Sequence, residues 1–146
     1  MAENKQIIAK LRPEKKYTTH ISVDGHEIIA DEPESAGGNN KGPTPYGLIA
    51  SGLAACTVIT MEWYSQRKGW KVEEFRAIVT HGRDYVEDCE GCKEGKKMQI
   101  YKFDMIIEAD GDLTDEQKLK LIDIANKCPV HRTMTSPIEV KIKFRD

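Results

Sequence analysis

The sequence predicts an α+β protein with a single domain over residues 1–146, and three observations predict this class. Residues 42–61 carry no charge, which is typical of a helix buried on all sides. Asp24-Gly25 separates two short strand-like runs, which is the strongest local signal of a β-hairpin in the chain. Near the C-terminus, apolar residues alternate with charged ones, as expected of a half-buried strand; the apolar residues are Ile138, Val140, Ile142 and Phe144.

The composition limits the classes of function. The chain has 22 Lys and Arg, 24 Asp and Glu and a net charge of -2, with the two signs interspersed. This balance offers no basic surface for nucleic acid. The N-terminal residues lack the apolar run of a secretory signal, so we expect a cytoplasmic protein, in which stable disulfides are rare. We expect no membrane span, because proline and glycine interrupt the uncharged stretch. We also expect no cofactor.

The first half of the chain is expected to form a hairpin, a loop and the long helix. Residues 17–21 and 27–30 are the strands of the hairpin. Residues 31–41 are rich in Gly and Asn and are predicted to be a mobile loop. The central helix runs from about residue 46 to residue 68 and ends before Gly69. Its small residues just before Cys56 would let a second helix or a subunit approach closely.

The second half is expected to form a pair of strands, a helix and a final strand. Residues 72–83 and 98–109 are strand candidates that pair antiparallel. Thr114 and Gln117 have the spacing of a capping box, which predicts the start of a second helix. We expect this helix to run through Ala125 and to end by Cys128, because Pro129 cannot continue the hydrogen-bond ladder. The alternating residues 138–144 form the last strand.

Four cysteines are the candidate reactive groups. Cys56 and Cys128 are far apart in sequence and can meet only through the fold, and thiols that meet are usually redox or nucleophilic groups. Cys89 and Cys92 form a Cys-x-x-Cys unit, which is either a secondary dithiol or half of a zinc site. Acidic neighbours disfavour a thiolate in this unit, and a metal site would need two further ligands. We therefore predict that Cys89 and Cys92 do not form a metal site.

Three runs of residues carry a resemblance that covers nearly the whole chain. They are Gly42-Pro43-Thr44-Pro45-Tyr46, Leu53-Ala54-Ala55-Cys56-Thr57 and Cys128-Pro129-Val130-His131-Arg132-Thr133. These motifs, their interval and the order of helices and strands resemble the OsmC/Ohr family of osmotically inducible and organic hydroperoxide resistance proteins. The runs Asp31-Glu32-Pro33-Glu34-Ser35 and Asp88-Cys89-Glu90-Gly91-Cys92 resemble the branch of OsmC-like proteins near the YhfA type.

The resemblance implies both a fold and an activity. The implied OsmC-like fold has antiparallel sheets packed around a long central helix plus a second helix, and it assembles as an intertwined homodimer. The implied activity is a thiol-dependent peroxidase that reduces organic hydroperoxides. Cys56 would be the peroxidatic residue, whose thiolate attacks the distal peroxide oxygen and becomes a sulfenic acid. Cys128 would be the resolving residue, which forms a disulfide with Cys56 that a dithiol reductant then reduces.

The chain departs from the family pattern at the group that activates the thiol. Hydroperoxide reductases of the family pair an N-terminal arginine with a glutamate in the central helix, and Tyr46 and Gly47 stand at the positions of that glutamate. The alternative function is therefore a non-catalytic OsmC-like protein that binds a small molecule or senses redox state. The candidates for activating or orienting the thiols are Arg12, His20, His131 and Arg132.

Overall fold

The structure, a computed structural model, describes residues 6–87 and 97–145. The chain forms two compact units, Met1–Ile49 and Ala50–Asp146. The helices and strands, in chain order, are β1 (Ile8–Leu11), β2 (Thr19–Val23), β3 (His26–Ala30), α1 (Pro45–Lys68), β4 (Val72–Glu87), β5 (Lys97–Gly111), α2 (Asp115–Ala125) and α3 (Pro129–Met134). The α+β prediction is confirmed, while the prediction of one domain over the whole chain stays a prediction. Cys89 and Cys92 lie outside the described residues, so their predicted roles also stay predictions.

The first unit contains a three-stranded antiparallel sheet in the order β1-β2-β3. Its hairpin is the predicted one, with Thr19 opposite Ala30. Asp24 and Gly25 form the turn and both have positive φ, at 51° and 79°, as a two-residue type I′ turn requires. The strand β1 is not predicted from the sequence. It pairs with the other edge of β2, so a contact between separate segments, rather than a local pattern, defines it.

The loop over residues 31–41 is folded around the carboxylate of Asp31, which is 1% exposed. This carboxylate accepts a hydrogen bond from the hydroxyl of Thr18 at 2.7 Å and from the backbone N–H groups of Glu32, Asn39 and Lys41 at 2.8, 3.3 and 3.1 Å. Desolvation alone would raise the pKa of Asp31, but the four hydrogen bonds outweigh it and hold the pKa below its ordinary value. One buried acceptor therefore ties together the loop that the sequence predicts to be mobile.

The long helix α1 buries one stripe of its surface. Its bounds agree with the predicted helix, and the following Gly69 has a φ of 72°, a conformation that often ends helices. Large apolar side chains on its other faces are exposed, with Ile59 67% and Trp63 59% exposed. The prediction of a helix buried on all sides is therefore wrong for the single chain, which covers only one face. The buried residues are Ala50, Leu53, Thr57, Met61 and Ser65.

The strands β4 and β5 form the predicted antiparallel pair, extended at the hairpin end to Glu87 and Lys97. Along β5 the two faces differ in exposure, because Ile107 is half-buried while Ile106 is 65% exposed. Ile107 lines a cavity of about 300 Å³ together with Met61 of α1 and Leu121 of α2. One face of this sheet, α1 and α2 therefore share the core of the second unit.

The helix α2 begins and ends as predicted, and a further short helix, α3, follows it. The hydroxyl of Thr114 accepts the backbone N–H of Gln117 at 3.1 Å, and the Gln117 side chain accepts the N–H of Thr114 at 2.8 Å, which is a capping box. The prediction that this helix ends by Cys128 is confirmed, because α2 ends at Ala125; Cys128 is the N-cap of a further short helix, α3, which the sequence did not predict. Pro129 is favoured as the first residue of α3, since its fixed φ suits a helix and that position needs no N–H donor.

The predicted last strand is absent from the single chain. Residues 137–145 are described and have no helical or strand conformation. Their alternating apolar side chains are exposed, with Ile142 93% and Phe144 98% exposed. A strand needs a neighbour to pair its backbone groups and to cover its apolar face, and residues 6–87 and 97–145 of the single chain contain no such neighbour for this segment.

Among the described residues, α1 is the one helix whose length and composition would allow it to cross a membrane. Its most apolar stretch of 18 residues has a mean hydropathy of 1.2, and 22% of that stretch is buried in the single chain. Core helices of soluble proteins meet the same criteria, so a single helix of this kind is weak evidence for a membrane protein.

Candidate active site

Cys56 lies in the middle of α1, at the edge of its buried stripe. The residue is half-buried and its thiol is free. Its sulfur lies 4.0 Å from the hydroxyl of Thr60, one helical turn further along. That hydroxyl donates a hydrogen bond of 2.7 Å to the backbone carbonyl of Cys56. Cys56 is therefore accessible from outside the chain while its position on the helix is fixed.

Cys128 has the opposite surroundings, because it is a free thiol with 0% of its surface exposed. Its sulfur accepts a hydrogen bond from the backbone N–H of His131 at 3.2 Å. The hydroxyl of Thr57 lies 3.7 Å from the same sulfur and points to it as a donor. The Cys128 sulfur is thus enclosed by the protein and faces two hydrogen-bond donors.

The contact between Thr57 and Cys128 joins segments that are 71 residues apart in sequence. Thr57 directly follows Cys56 and belongs to the buried stripe of α1, with 1% of its surface exposed. Successive residues of an α-helix lie on the same turn. The fold therefore places the Cys128 sulfur against the turn of α1 that carries Cys56.

An apolar cavity of about 520 Å³ lies next to the two cysteine segments. Leu53 lines it and is also the residue whose carbonyl accepts the Thr57 hydroxyl at 2.8 Å. His131 is half-buried and lines it from the other side, beside the backbone N–H that contacts Cys128. The sheet closes the cavity with Phe103 and Met105 of β5. We call this space the apolar cavity; it has the size and lining of a small-molecule site.

The four candidates for activating or orienting the thiols lie in different parts of the chain. Arg12 and His20 lie in the first unit, where both are exposed and line a cavity of about 380 Å³ together with Lys10 and Lys15. In the second unit, Arg132 is exposed. Of the four candidates for activating or orienting the thiols, His131 is the one with a direct hydrogen bond to a cysteine sulfur, through its backbone N–H.

Tyr46 and Gly47 occupy the first turn of α1. The backbone N–H of Gly47 donates to the hydroxyl of Thr44 at 3.0 Å, so Thr44 caps the start of the helix. Tyr46 is 44% exposed. A phenol and a hydrogen therefore stand where the family pattern has a carboxylate.

The structure also identifies Thr57 as a residue of the candidate site, whereas the sequence assigns it no role beyond its place in a motif. A threonine in an apolar helix usually bonds its own helix at the carbonyl four residues earlier, as Thr57 does with Leu53. Its second neighbour, the Cys128 sulfur, is visible only in three dimensions. Within the described ranges, no group of three or more His, Cys, Asp or Glu residues is arranged to hold a metal ion.

Comparison with known proteins identifies the family. The sequence profile of OsmC, described as OsmC-like protein, matches residues 38–143. The chain belongs to the OsmC-like protein family. The resemblance inferred from the cysteine motifs is thereby confirmed, while the placement near the YhfA type stays a prediction. No functionally curated protein gives a significant match.

Solved structures with the OsmC-like fold superpose on most of the chain. An OsmC-like protein from Mycoplasma pneumoniae has a TM-score of 0.69 at 21% identity, covering 92% of this chain and 89% of that one. An organic hydroperoxide resistance protein from Elizabethkingia anophelis has a TM-score of 0.64 at 23% identity, covering 97% and 96%. An organic hydroperoxide resistance protein OsmC from Legionella pneumophila has a TM-score of 0.60 at 18% identity, covering 92% of each chain. At these identities the comparisons show the fold alone.

Proposed function

We propose that this OsmC-like protein is a thiol-dependent peroxidase that reduces organic hydroperoxides through Cys56 and Cys128. One observation carries the proposal: the buried Cys128 sulfur contacts Thr57, the residue that follows Cys56. Free thiols so placed are suited to a cycle in which one is oxidised and the other traps it. The organic hydroperoxide resistance proteins that share the fold support this choice of substrate.

The proposed reaction has two steps. The Cys56 thiolate attacks the distal oxygen of the hydroperoxide, the O–O bond breaks, and the alkoxide that leaves takes a proton to become an alcohol. Cys56 is then a sulfenic acid, and Cys128 attacks its sulfur to form a disulfide with loss of water. The half-buried Cys56 gives the hydroperoxide access, and the enclosed Cys128 is protected from direct oxidation. A dithiol reductant returns the disulfide to two thiols, which suits a cytoplasmic protein.

The apolar cavity is the proposed site of the alkyl part of the hydroperoxide. Its lining is mainly aliphatic and aromatic, with Leu53, Phe103 and Met105 among its residues. Burial of apolar surface there favours an organic hydroperoxide over hydrogen peroxide, because hydrogen peroxide has no apolar surface to bury. Arg12, His20 and Arg132 remain the candidates for the positive charge that favours the Cys56 thiolate, and His131 remains a candidate for orienting the thiols.

The proposed form of the protein is an intertwined homodimer. Among the described residues, large apolar side chains are uncovered on the outer face of α1, with Ile59 and Trp63, and along residues 138–144. Exposed apolar area of this extent is typical of surfaces that bind another protein. A second copy would supply a strand neighbour for the C-terminal segment. Light scattering of the purified protein is expected to give the mass of two chains, and the mass of one chain would contradict the dimer.

A second candidate function is binding of a small apolar molecule, or redox sensing, without turnover. The observation that favours it is the pair Tyr46 and Gly47, which stands at the place of the family carboxylate. This function predicts that apolar ligands raise the melting temperature of both the wild type and a Cys56→Ser variant. It also predicts no sustained consumption of hydroperoxide.

Hydroperoxide consumption by the purified, reduced protein tests the proposed function. With cumene hydroperoxide and dithiothreitol, the wild type is expected to turn over many times and to react more slowly with hydrogen peroxide. Cys56→Ser is expected to abolish consumption. Without reductant, Cys128→Ser is expected to react once and then become over-oxidised, because no thiol traps the sulfenic acid. The double variant Cys89→Ser/Cys92→Ser serves as the control and is expected to retain turnover. A wild type that consumes no hydroperoxide overturns the proposal.

A further inference from the structure

One buried hydroxyl connects the two cysteine segments. Thr57 is 1% exposed, and its oxygen lies 2.8 Å from the Leu53 carbonyl oxygen and 3.7 Å from the Cys128 sulfur. A threonine hydroxyl carries one hydrogen, so it donates to one of these acceptors at a time. We infer that Thr57 is a positioning residue for the resolving cysteine, whose hydroxyl turns its hydrogen from Leu53 to Cys128 when the sulfur becomes a thiolate. This inference rests on the proposed function.

The need for such a donor follows from the burial of Cys128. Its sulfur is 0% exposed, so water does not solvate a negative charge there. A buried charge is costly unless protein groups bond to it, and an anionic acceptor attracts donors more strongly than a neutral one. The backbone N–H of His131 already points at the sulfur at 3.2 Å. The hydroxyl of Thr57 is the second donor, and it approaches from the turn that carries Cys56.

Thr57 is free to change acceptor without leaving Leu53 unsatisfied. In an α-helix the backbone N–H of residue 57 bonds the carbonyl of residue 53, so that carbonyl keeps a partner when the hydroxyl turns away. The hydroxyl adds only a second, local bond to it. The change therefore replaces a redundant bond to a neutral carbonyl by a bond to a charged sulfur. The exchange needs only a rotation of the hydroxyl hydrogen, since both acceptors already lie close to the Thr57 oxygen.

The consequence concerns the fate of the Cys56 sulfenic acid. Either the Cys128 thiolate attacks its sulfur, forming the S–S bond and releasing hydroxide that takes up a proton to become water, or a second hydroperoxide oxidises it to a sulfinic acid and is itself reduced to an alcohol. A donor that stabilises and aims the Cys128 thiolate favours the disulfide. Because a hydrogen bond to a charged group is worth about a factor of ten or more, its removal is expected to slow disulfide formation about ten-fold.

The partition between disulfide and sulfinic acid measures this step directly. Reduced protein is mixed with increasing cumene hydroperoxide without reductant, and both products at Cys56 are quantified by mass spectrometry of unreduced digests. The concentration at which half of Cys56 becomes sulfinic acid is expected to fall about ten-fold in Thr57→Val, which removes the hydroxyl and keeps the shape. The ratio of disulfide to sulfinic acid is measured only among the molecules that have reacted, so it does not depend on the amount of folded protein.

Matched variants separate hydrogen bonding from packing. Thr57→Ser keeps the hydroxyl and is expected to partition like the wild type, whereas Thr57→Ala differs from Thr57→Ser by the hydroxyl alone and is expected to behave like Thr57→Val. This second pair keeps the test usable if Thr57→Val does not fold. Ser65→Ala removes another buried hydroxyl from the same stripe of α1, one with no hydrogen-bond partner among the described residues, and is expected to leave the partition unchanged.

The outcomes distinguish this inference from the proposed function. If wild-type Cys56 forms neither disulfide nor sulfinic acid, the proposed function fails, and the inference fails with it. If the wild type forms the disulfide and Thr57→Val and Thr57→Ala partition as it does, the inference alone is overturned. The first oxidation of Cys56 supplies a further readout, since the inference predicts that its rate in a Cys128→Ser background is the same with Thr57 or Val at position 57. A slower first oxidation would show a general distortion of α1 and contradict the assigned role.

Discussion

Cys56 and Cys128 are the same residue type in the same unit of the protein, but their surroundings differ in two respects. Cys56 is half-buried and has one hydroxyl neighbour, Thr60, at 4.0 Å. Cys128 is fully enclosed and has two donors directed at its sulfur, one from α1 and one from its own helix α3. The two thiols are therefore prepared for different tasks. One is open to a molecule that arrives from outside, and the other is held for a partner within the protein.

The comparison shows how a fold assigns roles to identical side chains. Each cysteine sulfur has a threonine hydroxyl of α1 near it, Thr57 for Cys128 and Thr60 for Cys56. Both hydroxyls also bond the helix backbone four residues earlier. Only Thr57 lies on the buried stripe, so only it reaches across to another segment. Helical periodicity thus determines which hydroxyl serves the second cysteine, because residue 60 is displaced from residue 57 by about 60° around α1 and lies outside the buried stripe.

The largest expected difference between the two thiols is in their alkylation. Iodoacetamide is expected to modify Cys56 at least about ten-fold faster than Cys128 in the folded, reduced protein, because a fully enclosed thiol reacts only after local opening. The two rates are obtained by quenching at intervals and quantifying the modified peptides by mass spectrometry. In denaturant, where both residues are exposed, the rates should become similar. Equal rates in the folded protein would remove the contrast on which the assignment of roles depends.

A smaller effect is expected at a second buried acceptor, Asp31, which extends the comparison from a sulfur to a carboxylate. Its folded pKa lies below the ordinary value, so its stabilising contribution is present above the unfolded pKa of about 3.9 and is lost as the pH falls through the folded pKa. Asp31→Asn is therefore expected to lower the melting temperature at pH 7, and the difference from the wild type is expected to shrink below about pH 4.

The control for this prediction is Glu27→Gln, which changes an exposed carboxylate of the same unit and is expected to shift the melting temperature less. Thermal unfolding followed by circular dichroism at several pH values gives both curves. If the difference between Asp31→Asn and the wild type is the same at pH 7 and at pH 2, hydrogen bonding to an ionised carboxylate is not what ties the loop together.

Elements with strong local signals are predictable from this sequence. The Asp24-Gly25 turn, the long helix α1 and the capping box at Thr114 are all determined by residues within a few positions of each other. The strand β1 has no such signal, since its pairing with β2 defines it. Proline can prevent a helix from continuing, and it can also favour the start of a new helix. At Pro129 the second effect applies, because this residue begins α3.

The sequence predicts which residues form the candidate site, but it does not predict how their side chains are arranged. The cysteine motifs indicate Cys56 and Cys128, but the enclosure of one, the exposure of the other and the role inferred for Thr57 follow from contacts over 71 residues. The C-terminal segment shows a further limit of prediction from one chain. Its alternation of apolar and charged residues is typical of a strand, and yet the described residues contain no neighbour for it.

The most direct test of the two-cysteine mechanism is to map the disulfide bonds after a single oxidation. The reduced protein, kept free of oxygen, is treated with one equivalent of cumene hydroperoxide and digested without reduction, and the linked peptides are identified by mass spectrometry. Rapid formation of a disulfide between Cys56 and Cys128 is the expected result. If both thiols remain reduced, or if only Cys89 and Cys92 become linked, the two-cysteine mechanism is contradicted.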